Sequence, residues 1–166
     1  QHVKMIPDMT VLENVALGAY ARGESGVLSS MLGTNKSEEQ RFMKEAQHQL
    51  ERIGMGNYLH EQAGNLAMGP QRLMEIARAL CCDPALLLLD EPAAGLRHKE
   101  KQALADVLRQ LKGEGVSILL VEHDMDAVFR IADLITVMVN GVVIATGTPD
   151  EVRNNPDVRT AYLGDH

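Results

Sequence analysis

Ala85-Leu86-Leu87-Leu88-Leu89-Asp90-Glu91-Pro92 is the stretch on which the reading of the fold turns. Asp83-Pro84 breaks the chain ahead of it and Pro92 closes it. A continuous apolar run this short, held between breakers, predicts a strand buried on both faces, as in a parallel sheet covered by helices. Next, His98 to Lys112 repeats apolar residues at helical spacing, with Leu104, Val107, Leu108 and Leu111 on one face, and stops at Gly113 and Gly115. Val116-Ser117-Ile118-Leu119-Leu120-Val121 is a second short apolar run. Strand, helix, strand makes a βαβ unit and implies a right-handed crossover in an α/β sheet. Ligands of such sheets collect beyond the carboxyl ends of the strands. Here those ends are Asp90-Glu91 and Glu122-His123-Asp124.

Upstream, Thr10 with Glu13 three residues later is a capping box, so a short helix is expected to start there. Arg22 to Lys36 is rich in Gly, Ser, Thr and Asn and predicts an irregular loop. Ser37-Glu38-Glu39-Gln40 repeats the capping pattern ahead of Phe42, Ala46, Gln49, Leu50 and Ile53, an amphipathic helix ended by Gly54 and Gly56. After Gly69, Pro70 suits a first helical turn, where its missing N–H costs nothing, and Leu73, Ile76, Ala77 and Leu80 give that helix an inner face. Downstream, Leu134 to Val139 and Val142 to Thr146 flank Asn140-Gly141, a two-residue hairpin signal. Thr148-Pro149-Asp150-Glu151 combines cap, first-turn proline and capping-box glutamate, and starts a terminal helix.

A chain of 166 residues buries roughly 70% of the surface its unfolded form exposes, enough for one substantial core. With no Trp and few rings, that core must be aliphatic. The net charge of -7 argues against a general nucleic-acid surface, because phosphate contacts need clustered Lys and Arg. Cys81 and Cys82 stand alone, without metal-ligand spacing or a disulfide framework, and read as reduced, small core residues. No apolar run reaches the eighteen or so residues that span a bilayer, and no signal segment opens the chain, which favours a soluble cytosolic protein. The first residue, Gln1, is not a methionine, so an earlier segment of the gene product is expected.

Apolar residues running into Asp90-Glu91 can aim one carboxylate at a metal ion and a second at an attacking water from a rigid strand. The same two residues could also merely close a strand. His123, after the next strand, offers a cationic or hydrogen-bonding group, although a histidine there is more often structural. Asn65-Leu66-Ala67-Met68-Gly69-Pro70-Gln71-Arg72 puts a glycine-containing turn before a helix, so that free N–H groups and the positive helix end favour an anion. An ordinary helix start would look the same in isolation.

Taken in order, Gln1, Leu66 to Gln71, Leu86 to Glu91, Ala93-Ala94-Gly95-Leu96 and His123 resemble the Q-loop, signature motif, Walker B, D-loop and switch histidine of the ABC ATPases. Pro7-Asp8-Met9-Thr10-Val11-Leu12-Glu13-Asn14, Val121-Glu122-His123-Asp124-Met125 and Ala161-Tyr162-Leu163-Gly164 bring the resemblance to the ATPase subunits of bacterial branched-chain amino acid importers. It covers essentially the whole chain. It implies part of a P-loop NTPase (RecA-like) α/β core with a helical subdomain and a C-terminal hairpin plus helix. The expected divisions are 1–18 as Q-loop and entry to the helical subdomain, 19–65 as that subdomain, and 66–166 as the later part of the core.

The resemblance also implies roles. Gln1 would sense Mg and the attacking water, Asp90 would hold Mg, Glu91 would orient or deprotonate the water, and His123 would contact the γ-phosphate. Leu66, Ala67, Met68, Gly69, Pro70 and Gln71 would hold the phosphate of an ATP bound on a second ATPase subunit. Ala93 to Leu96 would carry signals across that head-to-tail pair, and Ala94 and Gly95 would join Asp90 among the nucleotide-binding residues. Permease subunits in the membrane would be further partners, and the chain would sit on the cytoplasmic face of the plasma membrane. Ala67 stands where the signature commonly has Ser, a change familiar in the branched-chain importer group and so discounted; Pro70 where it has Gln, and Arg97 after Leu96 in place of Asn or Asp, weaken the pattern. Nowhere is there G-x-x-x-x-G-K-[ST], the loop that cradles phosphates and that the family places ahead of Gln1. The chain alone is therefore expected neither to bind ATP tightly nor to hydrolyse it. A non-enzymatic folded remnant that associates through an uncovered core is the alternative. A chromosome-maintenance ATPase half is disfavoured by the acidic balance and the lack of sustained heptads.

Overall fold

The computed structural model describes residues 4–20 and 36–163, which fall into two compact units, Gln1–Val121 and Glu122–His166. Gln1 and residues 22–35 of the loop expected over Arg22 to Lys36 lie outside the described residues, and Lys36 is already helical.

In the first unit α1 spans Val11–Tyr20. Thr10 opens it as expected, its N–H and hydroxyl both donating to the Glu13 carboxylate at 2.7 Å. Asn14 is fully buried yet satisfied. It donates to the carbonyls of Ile6 and Thr10, and its oxygen accepts the Ile6 N–H at 2.9 Å, tying the approach segment to the helix. Helix α2 (Lys36–Arg52) already contains Ser37, so the serine sits in the first turn rather than ahead of it. Phe42, Ala46 and Leu50 are buried as the spacing predicts, and Gly54 takes φ +78 to end the segment. Helix α3 (Met68–Leu80) starts two residues before Pro70, with Ala67 as its cap. Its inner face is Met74, Ile76, Ala77 and Leu80, while Leu73 is only half-buried. Helices α1, α2 and α3 pack on one another. Gly18 permits the α1–α3 approach, since a Cβ there would lie 2.0 Å from the Arg78 carbonyl oxygen. Cys81 is core, but Cys82 is exposed and its thiol donates to the Gly18 carbonyl, so only one of the pair behaves as expected.

Strands β1 (Leu86–Asp90) and β2 (Ser117–Val121) pair in parallel, Leu88 opposite Leu119 and Asp90 opposite Val121, with α4 (His98–Gly113) between them in the chain. The expectation that this pair is covered on both faces is wrong. Leu87 is buried, and Leu89, Ile118 and Leu120 are half-buried, but Leu86, Leu88, Leu119 and Val121 on the other face are exposed, Leu88 by 65%. Strand side chains alternate between faces. A continuous apolar run therefore announces two faces to cover, and the described residues cover one.

The second unit holds α5 (Met125–Ile131), the hairpin β3 (Ile135–Val139) and β4 (Val142–Gly147), and short helices α6 (Pro149–Asn154) and α7 (Pro156–Val158) followed by a π-helical turn, Arg159–Leu163. Asn140 (φ +49) and Gly141 (φ +81) take the left-handed conformations that a two-residue hairpin turn requires. Thr148 and Glu151 form the predicted capping box. Ile135, Val137, Val152 and Val158 make the core. Tyr162 donates its hydroxyl to the Met138 carbonyl at 2.7 Å, anchoring the last turn to the hairpin.

Candidate functional site

Asp90 ends β1 in an exposed position, and the N–H of Glu91 donates to the Val121 carbonyl at 2.8 Å, extending the sheet ladder by one rung. That rung fixes the start of Glu91, and the chain then turns sharply. Glu91 takes φ +45, a left-handed conformation that costs a residue with a Cβ roughly 1–2 kcal/mol. Two carboxylates thus leave a rigid strand end in succession, the second from a strained backbone. Strain of this kind gathers at functional positions.

After Glu91 the chain makes two tight turns, Ala94 N–H to Glu91 O at 3.1 Å and Leu96 N–H to Ala93 O at 3.2 Å. Ala93 and Leu96 are buried, whereas Gly95 is exposed at φ +76. Glu100 then opens α4, its carboxylate accepting the Arg97 N–H at 2.8 Å.

The turn Leu66–Gln71 is anchored by buried Leu66 and leads into α3 through extended Ala67. No side chain caps this helix. Pro70 brings no N–H, and the Gln71 N–H already donates to the Ala67 carbonyl. The Gln71 amide side chain turns back to the Leu66 carbonyl at 2.9 Å. The N–H groups of Met68 and Gly69 are left as the helix's open donors among the described residues. The geometry suits an anion with two N–H contacts, one fewer than a turn with a non-proline residue at position 70 would offer.

In the second unit His123 exposes 70% of its side chain, and its N–H donates to the Glu122 carboxylate at 3.3 Å. Asp124, part of the same polar cluster in the sequence, is a helix cap: it accepts the Ala127 N–H at the start of α5. The strand end, the turn and the Ala93–Leu96 loop all belong to the first unit, His123 belongs to the second, and Gln1 lies outside the described residues.

Mg and ATP fit these residues in part. Asp90 and Glu91 are the donor type for a hard cation and its water. The chain offers no G-x-x-x-x-G-K-[ST] cradle, and no group of three or more His, Cys, Asp or Glu comes together among the described residues. Sequence reasoning missed Glu100, whose side chain rests on Gly69 of the turn. Its only local signal was a position suited to close the start of α4.

Residues 1–94 match the family model for ABC transporter, and residues 142–166 match that for branched-chain amino acid ATP-binding cassette transporter. The chain is 43% identical, over 99% of its own length and 66% of the relative's, to the high-affinity branched-chain amino acid transport ATP-binding protein LivG of Salmonella typhimurium. It is 39% identical over the same shares to the corresponding protein BraF of Pseudomonas aeruginosa. It thus spans just under two thirds of these curated relatives. Among solved structures, the ADP conformation of an ATP-binding cassette of an ABC transporter superposes with TM-score 0.78 at 32% identity, covering 96% of this chain and 64% of that one. A nucleotide-free cassette gives 0.75 at 31% identity, with 96% and 64% covered.

Proposed function

This chain belongs to the ABC transporter family of ATP-binding cassettes, and from that premise we propose that it supplies the hydrolytic strand end and the trans anion turn of an importer ATPase, the importer taking up branched-chain amino acids. The observation that carries the reading is the end of β1, where Asp90 and strained Glu91 leave the sheet together. When ATP and Mg are bound, the metal neutralises charge on the transferring phosphoryl group. Asp90 would hold that ion, Glu91 would orient the water, Gln1 would sense both, and His123 would contact the γ-phosphate. Met68 and Gly69 would donate to a phosphate held on a second ATPase subunit. The proposed division places the helical subdomain at 19–65, the Q-loop and its approach at 1–18, and the later core at 66–166. Among the described residues no helix is long and apolar enough to cross a membrane, so attachment to the inner face of the plasma membrane would run through permease subunits.

The chain lacks the phosphate-cradling loop and is therefore proposed to be inactive alone. ATP turnover by the purified chain tests this directly. Turnover that disappears in Glu91→Gln would overturn inactivity, whereas none above background supports it. The open face of Leu86, Leu88, Leu119 and Val121 favours one further reading, a self-associating module that buries those residues against another copy. Light scattering at rising concentration separates the two: a monomer throughout removes the second reading.

A further inference from the structure

Two glycines in the first unit each receive a side chain from the opposite segment. A Cβ on Gly95, in the Ala93–Leu96 loop, would lie 2.9 Å from the Met68 sulfur, so Met68 reaches from the turn onto the loop. A Cβ on Gly69, in the turn, would lie 3.0 Å from both Cγ and Oε1 of Glu100, so Glu100 reaches from just beyond the loop onto the turn. The carboxylate of Glu100 also accepts the N–H of Arg97, the residue that follows the loop. The contacts are reciprocal. Met68 stays on Gly95 although 47% of it is exposed, and each glycine leaves room that any other residue would fill. Moving the loop without the turn would drag Met68 off Gly95 and draw Glu100 away from Gly69.

We propose that Met68 and Glu100 interlock the Leu66–Gln71 turn with the Ala93–Leu96 loop, so that the two segments move as one body and an anion held by the turn is felt at the loop. The anion part rests on the function proposed above; the interlock does not. Glu100 is here a positioning residue, acting through the Arg97 N–H and the backbone of Gly69. A side chain that keeps an acceptor at the same reach should therefore do its work.

Residue-resolved amide hydrogen exchange of the 166-residue chain tests this, because local opening is read at each N–H separately. Met68→Ala and Glu100→Ala are expected to speed exchange at Ala94 and Leu96 about tenfold. Glu100→Gln should restore it, and Lys99→Ala, an exposed neighbour, should leave it unchanged. Met68 is half open to solvent, so its truncation leaves the core intact. Unchanged exchange at Ala94 and Leu96 in both alanine variants would overturn the interlock, as would a Glu100→Gln variant that behaves like Glu100→Ala. Titration with inorganic phosphate then separates the two claims. If phosphate shifts the Met68 and Gly69 signals, those of Ala94 and Leu96 should follow in the native chain and not in Met68→Ala. Shifts confined to the turn in the native chain would refute the coupling. No shift anywhere would refute the anion reading, with the interlock still decided by exchange.

Discussion

Replacing Leu87 and Leu88 by alanine, one at a time, sets the same chemistry in adjacent positions of one strand and so isolates burial. Leu87 is 3% exposed and Leu88 is 65% exposed. A fully buried leucine contributes about 1.5–3 kcal/mol by transfer, and a Leu→Ala cavity raises the loss to about 2–5 kcal/mol. Leu88 has only about a third of its surface covered and would leave no cavity, so its truncation should cost less than about 1 kcal/mol. The lower strand propensity of alanine enters both variants on opposite faces and largely cancels. We therefore expect a gap of about 2 kcal/mol between the two in urea unfolding at low protein concentration, with similar m-values. Leu119→Ala, opposite Leu88 in the register and 56% exposed, should behave like Leu88→Ala. Equal losses at 87 and 88 would mean that the Leu88 face is covered in solution, against the exposure seen here. A Leu88 loss that grows with protein concentration would identify another copy as the cover.

Gly18→Ala would place a Cβ 2.0 Å from the Arg78 carbonyl oxygen, so α1 and α3 must part; a loss of about 3 kcal/mol in chemical denaturation is expected, and a stabilised variant would contradict the close approach. At Glu91, φ +45 is tolerated by Asn and strained for a β-branched residue, so Glu91→Val should be about 1–3 kcal/mol less stable than Glu91→Asn, compared by thermal unfolding. Hydrogen bonds from the Thr10 backbone and then its hydroxyl hold Glu13 below the ordinary glutamate range, bonds from Thr148 do so for Glu151, and the Gln110 amide and then Arg52 do so for Glu114. Folded values below the unfolded value of about 4.3 mean that this stability is present above that pH and is lost as pH falls through the folded values; urea midpoints should drop on acidification, and less steeply in Glu13→Gln.

The βαβ unit, the hairpin and all three capping boxes' helices were legible because each has a local cause. Asp83-Pro84 and Pro92 bound β1, Asn140-Gly141 selects a turn, and Thr148 with Glu151 closes the start of a helix through its own side chains. The second capping pattern, at Ser37, marked its helix yet misplaced the start, because the first turn already includes Lys36. Cover was not legible. The run Leu86 to Leu89 records that both faces of β1 are apolar but not what lies on them, and the described residues leave one open. At the candidate site the turn, the strand end and the loop could be read from motif order. The setting of Met68 on Gly95 and of Glu100 on Gly69 could not, since it joins segments far apart in the chain and leaves no periodic trace. The left-handed backbone of Glu91 was equally hidden, because it arises from the strand ending against Val121 and not from a residue type that favours it.

The most direct test of the account joins this chain to the part of Salmonella LivG that lies outside the match, which the family pattern predicts to hold the phosphate-cradling loop, and measures ATP hydrolysis. Turnover is expected in the joined protein, none in the 166-residue chain, and loss of turnover in Glu91→Gln with ATP still bound. A folded, ATP-binding joined protein whose hydrolysis is absent, or is indifferent to Glu91, would contradict the claim that this strand end performs the chemistry.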